Sequence, residues 1–156
     1  MVKLGAGCGL PSIALAKTGR RIVATDAADP DVLSNLRHNA HTNSAEVEVL
    51  RYQWGSPLPA ELRRALKNKQ VHMLGSDLIY GGPGAQRLLT AALRDIFEVC
   101  EPRVVLACME RPHHRDALEG QVGELAAIGL ECREFVPKND AGSWMVPQLL
   151  AGSHRT

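Results

Sequence analysis

Short apolar runs alternate along the chain with segments whose apolar residues return every three or four positions, the pattern of strands separated by amphipathic helices. Met1-Val2-Lys3-Leu4 reads as a first strand, and Leu10 to Thr18 as a helix with Pro11 tolerated in its first turn and Gly19 as its stop. Arg21 to Thr25 is a β-branched strand; Asp29-Pro30 then caps a helix running to about Asn43, with Val32, Leu33, Leu36 and Ala40 on one face. Val47 to Tyr52 alternates as a third strand ending at Trp54-Gly55, and Glu61 to Lys67 is a short helix. Val71 to Ser76 is the fourth strand. It leads through Asp77-Leu78-Ile79-Tyr80 to a helix from Ala85 to Cys100, whose Leu88, Leu89, Ala92, Leu93, Ile96 and Phe97 are expected to cover the sheet. Val104 to Met109, apolar throughout, predicts a buried parallel strand; a helix from His114 to Ile128 and a sixth strand from Leu130 to Val136 follow. The alternation specifies a doubly wound α/β domain.

Composition narrows the setting without changing this picture. A chain of 156 residues, 45% hydrophobic and 22% charged, suits one globular domain, here residues 1–138, with 139–156 a degenerate last strand and a flexible tail. A net charge of +1 gives no argument for a nucleic-acid or membrane partner. No apolar run approaches the roughly twenty residues that span a bilayer, and there is no signal peptide, so cytoplasm or nucleus is the default compartment and a monomer the default state. Cys8, Cys100, Cys108 and Cys132 form no C-x-x-C pair, and His38, His41, His113 and His114 have no companions at zinc spacing; reduced packing cysteines, solvated histidines and no metal are expected.

The chemistry lies between the first two strands. Gly5-Ala6-Gly7-Cys8-Gly9 joins strand to helix, and Asp26 ends the next strand about twenty residues on, the spacing at which a carboxylate receives ribose hydroxyls. The glycine loop alone is equally a plain turn; the position of Asp26 tips the reading toward a nucleoside cofactor. A dinucleotide fold wants G-x-G-x-x-G, whereas G-x-G-x-G followed by Leu10-Pro11 favours S-adenosylmethionine. Gly5, Asp26, Trp54 and Asp77 all fall beyond the carboxyl ends of strands, where such sheets bind ligands.

With these residues placed, the chain resembles the seven-β-strand protein-lysine methyltransferases outside the SET class, relatives of the calmodulin-lysine and chaperone-lysine enzymes. The resemblance rests on Leu4-Gly5-Ala6-Gly7-Cys8-Gly9-Leu10-Pro11, on Ala24-Thr25-Asp26 with Asn35, Asn39 and Asn43 downstream, on Trp54-Gly55, and on Ser76-Asp77-Leu78-Ile79-Tyr80 with its D-x-x-Y. It implies a Rossmann-like class I methyltransferase fold, a three-layer α/β/α sandwich with a mainly parallel sheet. It also implies S-adenosyl-L-methionine as cofactor, bound by Gly5, Ala6, Gly7, Gly9, Asp26, Trp54 and Ser76, and a protein partner whose lysine enters a channel bordered by the catalytic pair Asp77 and Tyr80. Each of three residues has a structural alternative: Trp54 as a core aromatic, Tyr80 as loop packing, Asp77 as a turn cap.

Three departures from the family pattern stand out. Lys3 occupies the place, two before the first glycine, where the family carries an acid, which puts an ammonium near a cationic cofactor. The chain starts inside its first strand, so the family's N-terminal segment is expected to be missing. Pro147 interrupts Ser143-Trp144-Met145-Val146, which predicts an edge fragment in place of a full last strand. The leading reading is methyl transfer to a protein lysine; a catalytically impaired binding module and a small-molecule methyltransferase are the alternatives.

Overall fold

The computed structural model describes residues 1–27, 29–67, 69–79, 82–107, 115–135 and 144–149. Along the chain these form β1 (Val2–Leu4), α1 (Leu10–Ala16), β2 (Ile22–Asp26), α2 (Pro30–Thr42), β3 (Val47–Arg51), α3 (Ala60–Leu66), β4 (Gln70–Ser76), α4 (Pro83–Phe97), β5 (Glu101–Ala107), α5 (Arg115–Ala127), β6 (Leu130–Phe135) and β7 (Trp144–Leu149). Local chemistry sets several ends. The Asp29 carboxylate accepts the Asp31 amide at 2.9 Å, and Pro30 opens α2 with a preset φ at a position where its missing N–H leaves nothing unpaired.

The seven strands form one sheet in the order β3-β2-β1-β4-β5-β7-β6. Neighbours from β3 to β5 are parallel, and β7 runs antiparallel to both β5 and β6. Helices cover both faces. On one, Leu36 of α2 packs with Ala6 and Ala24; on the other, α3, α4 and α5 place Leu62, Leu66, Leu89, Leu93, Ile96 and Leu125 against Val2, Leu4, Val23 and Met73. Each fully buried leucine there contributes roughly 1.5–3 kcal/mol, so the second face carries most of the apolar stabilisation. Alternation along β1 sends Val2 and Leu4 to that face and Lys3 to the other.

The structure departs from the sequence pattern in three places. Trp144–Leu149 is a full strand, inserted between β5 and β6, and not an edge fragment; its pairing with β6 continues through Pro147, opposite Cys132. Among the described residues its ladder with β5 covers Met145 and Trp144. An antiparallel strand aims its peptide groups at alternate neighbours, so a proline is tolerated where one ladder has ended. The β5 strand begins at Glu101, three residues early, with Pro102 at its second position where a missing donor costs little. Finally, Leu88 is 42% exposed, while Gln86 and Thr90 are buried at 7% and 5%. The two polar residues face α5: Gln86 Nε2 donates to Ala117 O at 3.0 Å, and Gln121 Nε2 donates to Thr90 Oγ1 at 2.8 Å.

Candidate functional site

The sheet order reverses between β1 and β4, since the chain moves outward through β2 and β3 in one direction and through β5 in the other. A crevice opens at the carboxyl ends of strands at such a point. Two loops flank it here, Gly5 to Gly9 after β1 and Asp77 to Ile79 after β4.

The first loop is built around backbone that a side chain would obstruct. Gly5, Gly7 and Gly9 have φ of +53°, +52° and +93°. A Cβ on Gly5 would collide with Leu78 Cδ2 and come within 3.7 Å of Trp54 Cζ2, so this glycine lets the β1 exit pass beneath both side chains. Around Gly7 the space is open, and there the positive φ alone is the constraint. That conformation turns the Gly7 amide onto Asp26, whose Oδ2 accepts it at 2.6 Å while Oδ1 accepts the Ala27 amide at 2.7 Å. Ala6 N donates to Thr25 O at 2.9 Å and extends the same β1–β2 tie. From α2, Asn39 Nδ2 donates to Cys8 O at 2.8 Å, a contact between residues 31 apart that fixes the loop from outside.

Asp26 is half-buried, and each of its oxygens, with one amide bound, keeps acceptor capacity for a ligand hydroxyl. Trp54 is half-buried, packed against the main core cluster and near Gly5 at once, so core packing and a position beside the crevice are compatible in one side chain. Ser76 ends β4 and is exposed. Asp77, also exposed, adopts φ +55°, a left-handed conformation costly for a residue with a Cβ and tolerated best by aspartate and asparagine. The next two residues, Leu78 and Ile79, are 6% and 4% exposed and anchor the turn in the core. Tyr80 lies outside the described residues. Gly5, Asp26, Trp54, Ser76 and Asp77 thus lie at the same end of the sheet.

Lys3 behaves in a way its position in the sequence did not foretell. Its side chain is 2% exposed, and its ammonium donates to Leu4 O at 2.7 Å and Gly5 O at 2.9 Å, directly beneath the glycine loop. Burial pushes its pKa down to about 8, partly offset by the Asp26 carboxylate, which favours the charged form. From its place two residues before Gly5, Lys3 is expected only to put a charge near the site. Its two carbonyl partners, like the Asn39 contact, depend on how the chain folds back and left no signal in the spacing.

A family model described as lysine methyltransferase matches residues 1–118. The chain is 33% identical over 96 residues to the protein N-terminal and lysine N-methyltransferase efm7 of Schizosaccharomyces pombe, covering 57% of this chain and 38% of that protein. It is 32% identical over 94 residues to the protein-lysine methyltransferase METTL21E of Mus musculus, covering 57% and 37%. The chain thus spans less than two fifths of the length of these curated relatives. Among solved structures, a methyltransferase from Pyrococcus furiosus superposes with a TM-score of 0.65 at 15% identity, over 96% of this chain and 74% of that one. An S-adenosylmethionine-dependent methyltransferase from Methanosarcina mazei gives 0.66 at 12%, over 96% and 92%. At such identities these structures establish the fold, a Rossmann-like class I methyltransferase sandwich.

Proposed function

The chain belongs to the lysine methyltransferase family, and from that premise we propose that it binds S-adenosylmethionine at the β1–β4 crevice and directs its methyl group to a lysine of a protein. The observation that carries this reading is the glycine loop clasped by Asp26. A backbone stripped of Cβ atoms at Gly5 lies next to a carboxylate with free lone pairs, at the reversal point of the sheet. When bound, the cofactor supplies an activated methyl on a sulfonium.

The chain's own residues then have limited tasks. Asp26 accepts ribose hydroxyls, Trp54 offers an aromatic face to the base, and Ala6, Gly7, Gly9 and Ser76 shape the floor. A lysine ammonium, with a reference pKa of about 10.4, has no lone pair to attack with, so the entrance must favour its neutral form and align it. We assign the orienting of the amine to Asp77, which follows β4 at that end of the sheet, and to Tyr80 on the strength of the D-x-x-Y pattern in the sequence. The curated relatives named as protein-lysine methyltransferases support the acceptor class. The cytoplasm, with the nucleus second, is the compartment we assign, and a monomer the state.

The test is calorimetric binding of S-adenosylmethionine and S-adenosylhomocysteine to the chain and to Asp26→Ala, followed by transfer of labelled methyl to lysine-bearing protein. Binding that weakens at least about tenfold in the folded variant is the expected result. A folded wild-type chain that binds neither nucleoside sinks the reading. A second reading, a binding module without turnover, is favoured by one observation, the Lys3 ammonium on the Gly5 carbonyl. Nucleoside binding with no labelled product would select it.

A further inference from the structure

Lys3 does more than carry a charge near the crevice. Its ammonium is held by two carbonyl oxygens of the β1 exit, Leu4 O at 2.7 Å and Gly5 O at 2.9 Å, in a side chain 2% exposed. Resting on the cofactor reading above, the amino-acid end of S-adenosylmethionine brings a second ammonium to the same loop. An ammonium has only donors, three of them, and seeks carbonyl or carboxylate oxygens. At the start of the loop the Gly5 carbonyl already has such a partner. The carboxylate beside it, Asp26, is held by the Gly7 and Ala27 amides and already attracts Lys3. The loop therefore presents one internal cation and one internal anion already drawn to each other, and a ligand cation arriving there meets a like charge at the carbonyls it would seek.

We infer that Lys3 stands in for the amino-acid ammonium of the cofactor at the Leu4 and Gly5 carbonyls, making it a specificity-determining residue that biases the site toward adenosine ligands lacking that ammonium. The nucleoside part of the site is untouched by this: Asp26 keeps its lone pairs and Trp54 its place beside Gly5. The amino-acid part is the part that is contested. Removing the lysine frees two carbonyls and one positive charge together, so the gain falls on ligands that carry an ammonium and on no others.

The experiment compares three probes by calorimetry at pH 7, S-adenosylmethionine, S-adenosylhomocysteine and 5′-methylthioadenosine, on the wild-type chain, Lys3→Met and Lys3→Gln. In the wild type, methylthioadenosine is expected to bind at least as tightly as S-adenosylmethionine. In Lys3→Met, both amino-acid ligands should tighten by about tenfold or more while methylthioadenosine stays within about threefold. The Gln variant keeps a donor for one carbonyl without the charge, and should shift the same way by less; it decides the matter if the Met variant does not fold. Unchanged or weaker S-adenosylmethionine binding in a folded variant overturns the inference. So does equal weakening of all three probes, which would mark Lys3 as a support of the loop with no part in selection. Both results leave the cofactor reading standing. Failure of every probe on every folded form removes the cofactor reading, and the inference falls with it.

Discussion

Two strands leave the sheet side by side at the reversal point, and each does so through a residue in the left-handed region, Gly5 after β1 at φ +53° and Asp77 after β4 at φ +55°. The backbone requirement is the same and the residue differs. A glycine meets it without steric cost, whereas a residue with a Cβ gives up roughly 1–2 kcal/mol. At Gly5 the reason is visible in the surroundings, because Leu78 occupies the space a side chain would need. At Asp77 the chain accepts strain and keeps a carboxylate exposed beside the crevice. Strain retained where glycine would fit is a mark of a side chain with a use. One exit is specialised for close approach of backbone, while the other holds the same backbone with a carboxylate side chain in place.

The largest effect is expected where the close approach is blocked. Gly5→Ala adds both left-handed strain and an overlap with the buried Leu78, and should cost about 3 kcal/mol in urea denaturation. The two contributions separate in a double-mutant cycle with Leu78→Ala. The overlap vanishes in the pair and the φ strain does not, so Gly5→Ala should cost less in the Leu78→Ala background, by about 1 kcal/mol or more. Strict additivity of the two substitutions would mean that Leu78 does not define the space above Gly5.

The same contrast explains what the sequence disclosed. The β1 exit was legible because its parts are local: alternate glycines and an aspartate at the end of the next strand announce a turn that their own φ values then adopt. The partners of Lys3 and Asn39 were not, since the sequence gives a charge or an amide its position but not the carbonyl it reaches after the chain has folded. Gln86 and Thr90 interrupt the apolar period of α4, which points to Leu88 instead, although both are buried against a helix some thirty residues on. Pro147 misled for a related reason. Its missing donor argues against a strand hydrogen-bonded on both sides throughout, yet the β5 ladder stops before it and the β6 ladder runs past it. In each case the deciding fact is a neighbour supplied by the topology.

Lys3 supports the β1 exit alone, which gives that exit a pH dependence. Its pKa falls from an ordinary 10.5 to about 8 in the fold, so between these values the unfolded chain holds a proton that the folded chain has released, and stability rises with pH. Burial raises Cys100 from 9.0 to about 11, and Tyr52, 2% exposed and acted on also by Asp95, from 10.0 to about 12. For these two acids the sign is opposite: the folded chain keeps protons the unfolded chain has lost, and stability falls above about pH 9 and pH 10 respectively. The window for Lys3 is therefore about pH 7.5 to 9, with a net gain on the order of 1 kcal/mol. Urea midpoints across that range should climb in the wild type and climb much less in Lys3→Met, where only the Met1 ammonium, also lowered by burial and by Arg21, still acts in that direction. A climb undiminished by the substitution would place the titrating group elsewhere.

The smallest effect bears on the other exit and isolates strain from chemistry. Asp77→Ala and Asp77→Gly delete the same carboxylate with all its contacts, so whatever the side chain does is lost equally in both. What remains is the backbone. At an ordinary position alanine is the more stable of the two by roughly 0.5–1 kcal/mol, because glycine loses more chain entropy on folding. At φ +55° alanine must also bear the left-handed penalty of about 1–2 kcal/mol, which glycine escapes, and the order should invert by about 0.5–1 kcal/mol in favour of glycine. Methyl transfer, if Asp77 orients the amine, should fall to the same low level in the two variants despite their different stabilities. An alanine variant at least as stable as the glycine one would mean that the exit from β4 relaxes to an ordinary turn once the carboxylate is gone. The carboxylate would then be holding the strained backbone in place, and the contrast between the two exits would be one of cause as well as of residue.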